Sequence, residues 1–266
     1  MKTSLDTETS PYDADNTRVN ETDIKSYEEQ GYVVLPEFFS LQEMQEMSRW
    51  ADEICAWPEV PGRHMVYYED SVSVPQARVL SRVENFCPYH SQFNTTFNSG
   101  RVMNTLVALL GEEAVMFKDK INFKLPGSGG FEPHQDVQAG WDQYAALHIS
   151  MLVSIDPATQ ENGCLEIAGG WHDRGLIGES WKPLGDAVPD AAYRSCPTQV
   201  GDVVIFDSFV PHRSFPNSTN AARRILYVTY NRHSEGDHRQ AYYADKRASY
   251  PPDCEREDDK DYVYRV

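Results

Sequence analysis

The spacing of apolar positions changes along the chain, and the change sets what it can build. Over residues 22–57 apolar side chains recur at helical spacing in two runs on either side of a short apolar block. Thr22 or Asp23 can cap a first helix that stops at Gly31. Tyr32-Val33-Val34-Leu35 then reads as a buried strand, and Ser40 caps an amphipathic helix through about Trp57. Residues 62–86 alternate weakly and predict two strands, the second over Ala77–Phe86. Arg101–Leu110 is helical again, with Val102, Leu106, Leu109 and Leu110 on one face and Gly111 closing it.

From Ala114 the period becomes two. Phe117, Ile121 and Phe123 share one face of a strand whose other face carries Lys118, Lys120, Asn122 and Lys124. Further strands are expected at His134–Val137, Ala145–Ile155, Cys164–Ala168, Val203–Phe206, Pro211–Ser214 and Arg224–Asn231, separated by loops with Gly, Pro, Asn or Asp. Many short strands behind a helical N-terminal portion, without βα alternation, predict a mainly β fold with flanking helices (α+β). The architecture expected is a double-stranded β-helix, a jelly-roll barrel of the cupin-like kind. No internal repeat or linker divides it, so one domain is expected over residues 21–254. A poorly ordered segment, 1–20, precedes it and an acidic tail, 255–266, follows.

Composition narrows the function classes. A 40% hydrophobic and 12% aromatic content supplies a buried core over 266 residues. The formal net charge of −17 leaves no basic face for nucleic acid. Part of that charge is terminal: residues 1–23 hold six acids against two bases, and residues 253–266 six against three. The five cysteines are an odd number with no CxxC pair, and no apolar run is long enough to cross a membrane. A reduced, cytoplasmic setting is the default expectation.

Candidate chemistry centres on Glu132-Pro133-His134-Gln135-Asp136. On an extended strand His134 and Asp136 point the same way, and an imidazole with a carboxylate suits iron(II). A second histidine would complete the facial triad of non-haem oxygenases. The pair alone is equally what a surface His and Asp on an edge strand would look like. His212, on the strand over 211–214, is the candidate third ligand. The other six histidines read as core or surface residues, with His148 and His172 the two able to reach a pocket. The lysine face is either solvated or, if the apolar face packs on the helices, the lining of a pocket for anions. Arg223 offers a planar fork for a carboxylate, and its neighbour Arg224 must face the other way.

At this point the chain resembles the phytanoyl-CoA dioxygenase family of iron(II)/2-oxoglutarate oxygenases, over about residues 22–247. The resemblance rests on Tyr27-Glu28-Glu29-Gln30-Gly31-Tyr32-Val33-Val34-Leu35 and Pro133-His134-Gln135-Asp136. It continues in Glu161-Asn162-Gly163-Cys164-Leu165-Glu166-Ile167 and His212-Arg213-Ser214 before Arg223. It implies that His134, Asp136 and His212 hold the iron, that Arg223 pairs with the distal carboxylate of 2-oxoglutarate, and that Ser214 assists it. Lys120-Ile121-Asn122-Phe123-Lys124 is similar to the Arg-Ile-Asn-Phe-Lys strand of ectoine hydroxylases, which implies that Lys120 and Asn122 help to hold the oxo-acid. Arg82 resembles a basic co-substrate position of the phytanoyl-CoA enzymes. Trp171-His172 departs from the Ser-His of relatives, and the part this loop plays is open.

The resemblance implies coupled chemistry with O2: 2-oxoglutarate loses CO2 and becomes succinate while a substrate C–H becomes C–OH. Relatives that halogenate have lost the carboxylate that Asp136 supplies, so its presence implies hydroxylation. Trp141 and Tyr144 are expected to cover the substrate and Lys118 to meet an anionic group on it. A small polar metabolite fits best, such as an amino acid, a betaine-like zwitterion or an aminophosphonate, with a natural-product intermediate as the alternative. Two rival readings stay open at this stage: a cupin-like metal enzyme that does not use 2-oxoglutarate, and a non-catalytic jelly-roll binding module.

Overall fold

Helix ends show how local chemistry sets the elements. In the computed structural model, which describes residues 17–262, Asn20 caps the first helix rather than Thr22 or Asp23. Its side chain accepts from the N–H groups of Thr22 and Asp23, while the Asp23 carboxylate accepts from the Asn20 N–H. Two orphan donors and the cap's own are thereby satisfied, which places the start one turn earlier than Asp23 would. This helix, α1 (Glu21–Gln30), stops at Gly31, whose φ of 74° a glycine adopts without strain. Strand β1 (Tyr32–Leu35) follows, then α2 (Leu41–Cys55), capped by Ser40 and Glu43 and ending two residues before Trp57.

The next elements are β2 (Met65–Asp70), β3 (Arg78–Glu84), α3 (Ser91–Phe97), α4 (Gly100–Leu110) and β4 (Ala114–Asn122). The strands β5 (Phe131–His134), β6 (His148–Ser154), β7 (Leu165–Ile167), β8 (Arg194–Cys196), β9 (Val203–Asp207), β10 (His212–Ser214) and β11 (Ile225–Arg232) lead to a final helix, α5 (Arg239–Ser249). Sequence periodicity does not reveal α3, β8 or α5. The first is seven residues with only Phe93 and Phe97 apolar at helical spacing, and β8 is three residues long.

The jelly roll consists of two antiparallel sheets. Seven strands run in the order β1-β9-β6-β11-β4-β3-β2, and four in the order β5-β10-β7-β8. Alternation sorts the large sheet's side chains between two cores. Ile149, Met151 and Val153 of β6, with Leu226 and Val228 of β11, pack outward against Met44, Met47 and Ile54 of α2 and against α4. Fully burying one such side chain contributes about 1.5–3 kcal/mol. Leu152, Val204, Phe206 and Ile225 face inward and meet Leu165 and Ile167 of the small sheet. The apolar face of β4 therefore packs on helices, and Lys118, Lys120 and Asn122 turn into the space between the sheets.

Two strand expectations need correction. Phe117 does not share the face of Ile121 and Phe123. Thr229 of β11 pairs with Lys118 and Tyr230 with Met116, so Phe117 is the extra residue of a bulge. It turns inward with Lys118, its ring packed against Trp141, Tyr144 and Tyr242. The strand expected over His134–Val137 ends at His134, and Asp136–Ala139 forms a 3-10 turn. The short partner β10 offers no pairing beyond His212, and the turn is held by reciprocal Gln135–Gln138 bonds.

The expectation of poor order over 1–20 falls mostly on residues 1–16, outside the described residues, and that of an acidic tail partly on 263–266. Within the described part, Glu255 accepts from Gly62 N (2.8 Å) and Arg247 Nε (2.6 Å).

Asp207, at the end of β9, is buried and accepts from the Phe209 N–H at 2.6 Å. Burial, opposed by that bond and by His172, raises its pKa from 3.8 to about 6. A carboxyl raised in the folded state contributes stability below its unfolded pKa of 3.8 and loses it as pH rises through about 6. Near neutrality the fold therefore carries the cost of a buried charge. Asp207→Asn keeps the acceptor and removes the charge, and is expected to stabilise the protein by about 2 kcal/mol at pH 7.5. Thermal melts of both forms at pH 7.5 and 4.5 check this: the gain in Tm must shrink at the lower pH.

Candidate metal centre and active site

His134 closes β5 and stands directly across from His212, which opens β10, with ring centroids 4.2 Å apart. The extended backbone at Gln135 returns Asp136 to the same side. Its Oδ1 lies 4.0 Å from His134 Nε2 and 3.9 Å from His212 Nε2. One donor atom of each residue lies within 4.8 Å of the others, a separation a single cation can bridge. Each histidine Nδ1 faces a backbone carbonyl two residues earlier, His134 to Glu132 O at 2.7 Å and His212 to Val210 O at 3.0 Å. Those bonds hold the proton on Nδ1 and leave the Nε2 lone pairs aimed at the shared point. Asp136 Oδ2 accepts from Ser150 Oγ at 3.2 Å, and Ser150 is tied to Thr229 at 2.9 Å, so Oδ1 is the free donor.

The electrostatics suit a divalent ion. Burial, then the neighbouring His212, pushes His134 down to about 3, and burial lowers His212 as well, so both are neutral ligands at neutral pH. Burial raises the Asp136 pKa, but His212, Lys120 and His134 outweigh it, and the group is a carboxylate. Two neutral imidazoles and one carboxylate on one side of a site are the donor set of non-haem iron(II).

A cavity of about 480 Å³ opens beside these three residues. Lys118, Lys120, Asn122, Trp141, Tyr144 and Ser214 all lie on its wall with the triad. Lys120 Nζ sits 4.7 Å from the Tyr227 ring centre, and burial, then Lys118, lowers it to about 8. At the Ser214 end, Lys124 Nζ donates to Ser214 Oγ (2.8 Å) and to Gly163 O (3.3 Å). Arg223 stands behind it rather than on the wall, buried, with Nη1 on Gly163 O at 2.7 Å and Nε without a partner among the described residues. Gly163, at φ +74°, must be glycine: a Cβ would lie 2.0 Å from Phe215 O. As expected, Arg224 faces the opposite way, onto Asp156 and Asp52.

Arg82 is not on the cavity wall; its Nε donates to Glu84 at 2.7 Å, and its guanidinium lies 4.5 Å from the Tyr67 ring centre. His148 packs against Phe117 and Trp141, and His172 meets Glu28 O of α1 at 3.2 Å. Neither lines the cavity.

Sequence reasoning missed one wall entirely. Tyr242, Asp245, Lys246 and Ser249 of α5 line the cavity, and Tyr250, Asp261 and Tyr262 extend that wall. The spacing i, i+3, i+4, i+7 was a visible helical face, but a mixed one, so a search for apolar periodicity passes over it. Trp181 also lines the cavity, its ring against Gly140, where a Cβ would lie 2.6 Å from it.

A jelly roll that sets two histidines and a carboxylate beside a cavity with a cationic, hydroxyl-bearing end defines a non-haem iron(II)/2-oxoglutarate-dependent dioxygenase. The chain belongs to the phytanoyl-CoA dioxygenase (PhyH) family, matched over residues 27–225. It is 39% identical over 240 residues to a 2-aminoethylphosphonate dioxygenase of an uncultured bacterium, covering 89% of this chain and 90% of that one. A methylphosphonate hydroxylase of Gimesia maris is 37% identical over 240 residues, covering 88% and 89%. Among solved structures, EctD from S. alaskensis with 2-oxoglutarate and 5-hydroxyectoine shares the fold, with a TM-score of 0.68 at 21% identity over 83% of this chain and 78% of that one. Iron(II), 2-oxoglutarate and O2 are the cofactors, and the substrate is a small molecule. No helix among the described residues is long and apolar enough to cross a membrane.

Proposed function

We propose that this dioxygenase hydroxylates a C–H bond of a short phosphonate, an aminoalkylphosphonate foremost. His134, Asp136 and His212 would hold the ferrous ion, which supplies the activation of O2: one oxygen atom leaves in succinate as 2-oxoglutarate loses CO2, and the other enters the substrate C–H. Ser214 and Lys124 would receive the distal carboxylate of 2-oxoglutarate, with the buried Arg223 charge behind them. Lys120 and Asn122 would carry the oxo-acid along the wall between, Asn122 through its amide N–H groups. Trp141 and Tyr144 cover the substrate, with Tyr144 OH bonded to Asp245 at 2.6 Å. Arg82 takes a supporting place, neutralising Glu84.

The observation that carries this reading is a second cationic end on the same cavity, at Lys118 and Lys246, besides the one at Ser214. A co-substrate needs one; the other is left for an anionic substrate. The two relatives named for phosphonates give that anion its chemistry. Asp245 and Asp261 on the same wall offer counter-charges for a substrate amine.

Substrate-dependent succinate release tests it. With iron(II), ascorbate and 2-oxoglutarate, 2-aminoethylphosphonate is expected to raise succinate formation about tenfold or more over the uncoupled rate, with ectoine and glycine betaine giving no increase. Stimulation by either of these and by no phosphonate would reject the reading.

A further inference from the structure

We propose that Lys118 and Lys246, arranged about the buried carboxylate of Glu84, read the substrate's dianionic head group and select phosphonate over carboxylate; this rests on the phosphonate reading. Glu84 has no exposed surface and gathers three cations. Lys246 Nζ reaches its two oxygens at 2.8 and 2.6 Å, Arg82 Nε reaches one at 2.7 Å, and Lys118 Nζ lies at 3.9 Å. Among the described residues Glu84 is the one carboxylate within ion-pair distance of Lys118 and Lys246, and two ammonium groups sharing one buried carboxylate leave a positive excess that is unfavourable until an anion arrives.

The excess faces the cavity. Lys118 and Lys246 line it whereas Arg82 does not, so the charge spent on Glu84 from behind is Arg82's. Lys118 Nζ sits 5.4 Å from the ring centres of both Trp141 and Tyr242, which hold it without neutralising it. Trp141 adds a buried indole N–H that has no acceptor among the described residues. Two ammonium groups and one N–H match the three oxygens and double charge of a phosphonate; a carboxylate offers one charge and two oxygens. Burial, with Lys118 and Arg82, holds Lys246 below its ordinary range against Glu84, and a bound dianion supplies the missing counter-charge.

This end is separate from the co-substrate's. Lys118 and Lys246 gather at Glu84, on the far side of Lys120 along β4 from Lys124, whose Nζ meets Ser214 and Gly163. Glu84 is then a positioning residue: it brings a lysine from β4 and one from α5 to a common point and touches no ligand.

The test is anaerobic calorimetry on protein loaded with iron(II) and 2-oxoglutarate, titrated with 2-aminoethylphosphonate, methylphosphonate and β-alanine. Wild type is expected to bind both phosphonates, and 2-aminoethylphosphonate at least about tenfold tighter than its carboxylate counterpart β-alanine. Lys246→Met and Lys118→Met are each expected to weaken both phosphonates about tenfold or more while the Kd of 2-oxoglutarate moves less than about twofold. Lys246→Arg, which keeps the charge, is expected to restore most of the binding and guards against a variant that merely misfolds. Unchanged phosphonate affinity in both Met variants overturns the proposal, as does an equal loss of 2-oxoglutarate affinity or wild-type indifference between phosphonate and carboxylate. Phosphonate binding lost in the lysine variants, without phosphonate-dependent succinate in wild type, sinks the proposed reaction and leaves the anion site standing.

Discussion

Asp136→Ala is expected to lower substrate-dependent succinate formation by about a thousandfold or more, a barrier change near 4 kcal/mol. The variant removes the only charged donor of the triad and leaves two neutral imidazoles to hold a divalent ion. It also frees Ser150 Oγ, whose bond to Asp136 Oδ2 fixes which oxygen faces the histidines. Anaerobic titration with iron(II) and 2-oxoglutarate is the direct check, since their visible charge-transfer band should be lost at wild-type metal concentrations. The melting temperature of the metal-free protein should fall little, because a buried carboxylate in the metal-free site is stabilised only by its neighbours. Wild-type succinate output from Asp136→Ala would remove the metal centre from the mechanism.

Arg223→Met should raise the KM for 2-oxoglutarate about a hundredfold, the loss of roughly 2.7 kcal/mol expected for a buried, charge-assisted pair. The kcat at saturating co-substrate should change much less. Its neighbour Lys124 adds a pH signature. Burial, then the Arg223 charge, lowers Lys124 to about 7, and a bound carboxylate must raise it again. Below about 7 the ammonium is already charged and affinity is flat. As pH rises above that value, binding must take up a proton, and affinity for 2-oxoglutarate falls by up to about tenfold per unit. Kd values at pH 6.0, 7.0 and 8.5 show the slope, and Lys124→Met should abolish it. A wild-type affinity that increases with pH contradicts the assignment of this end of the cavity.

Much of this site was legible from residue order, for definite reasons. Strand alternation put Lys118, Lys120 and Asn122 on one face because side-chain direction in β structure depends only on parity. The same rule failed at Phe117, where a bulge against β11 shifts parity by one, and a bulge is a property of pairing that one strand cannot display. The His134–Asp136 pair was found through a strand rule although Asp136 begins a 3-10 turn; extended backbone at Gln135 suffices for the geometry. Glu84 lies unmarked in the strand expected over Ala77–Phe86, because Lys246, which explains its burial, lies 162 positions away. The two-sheet architecture was visible in strand number and spacing. The wall built by α5 was not, since its face mixes Tyr, Asp, Lys and Ser.

That wall has a consequence for how such an enzyme can diversify. The family match stops at residue 225, and α5 with Tyr250, Asp261 and Tyr262 lies wholly beyond it. Every residue proposed to hold iron or oxo-acid falls within that match, while one wall of the compartment that would meet the guest falls outside it. Changes in the segment after β11 would then alter what the compartment admits without touching His134, Asp136 or His212.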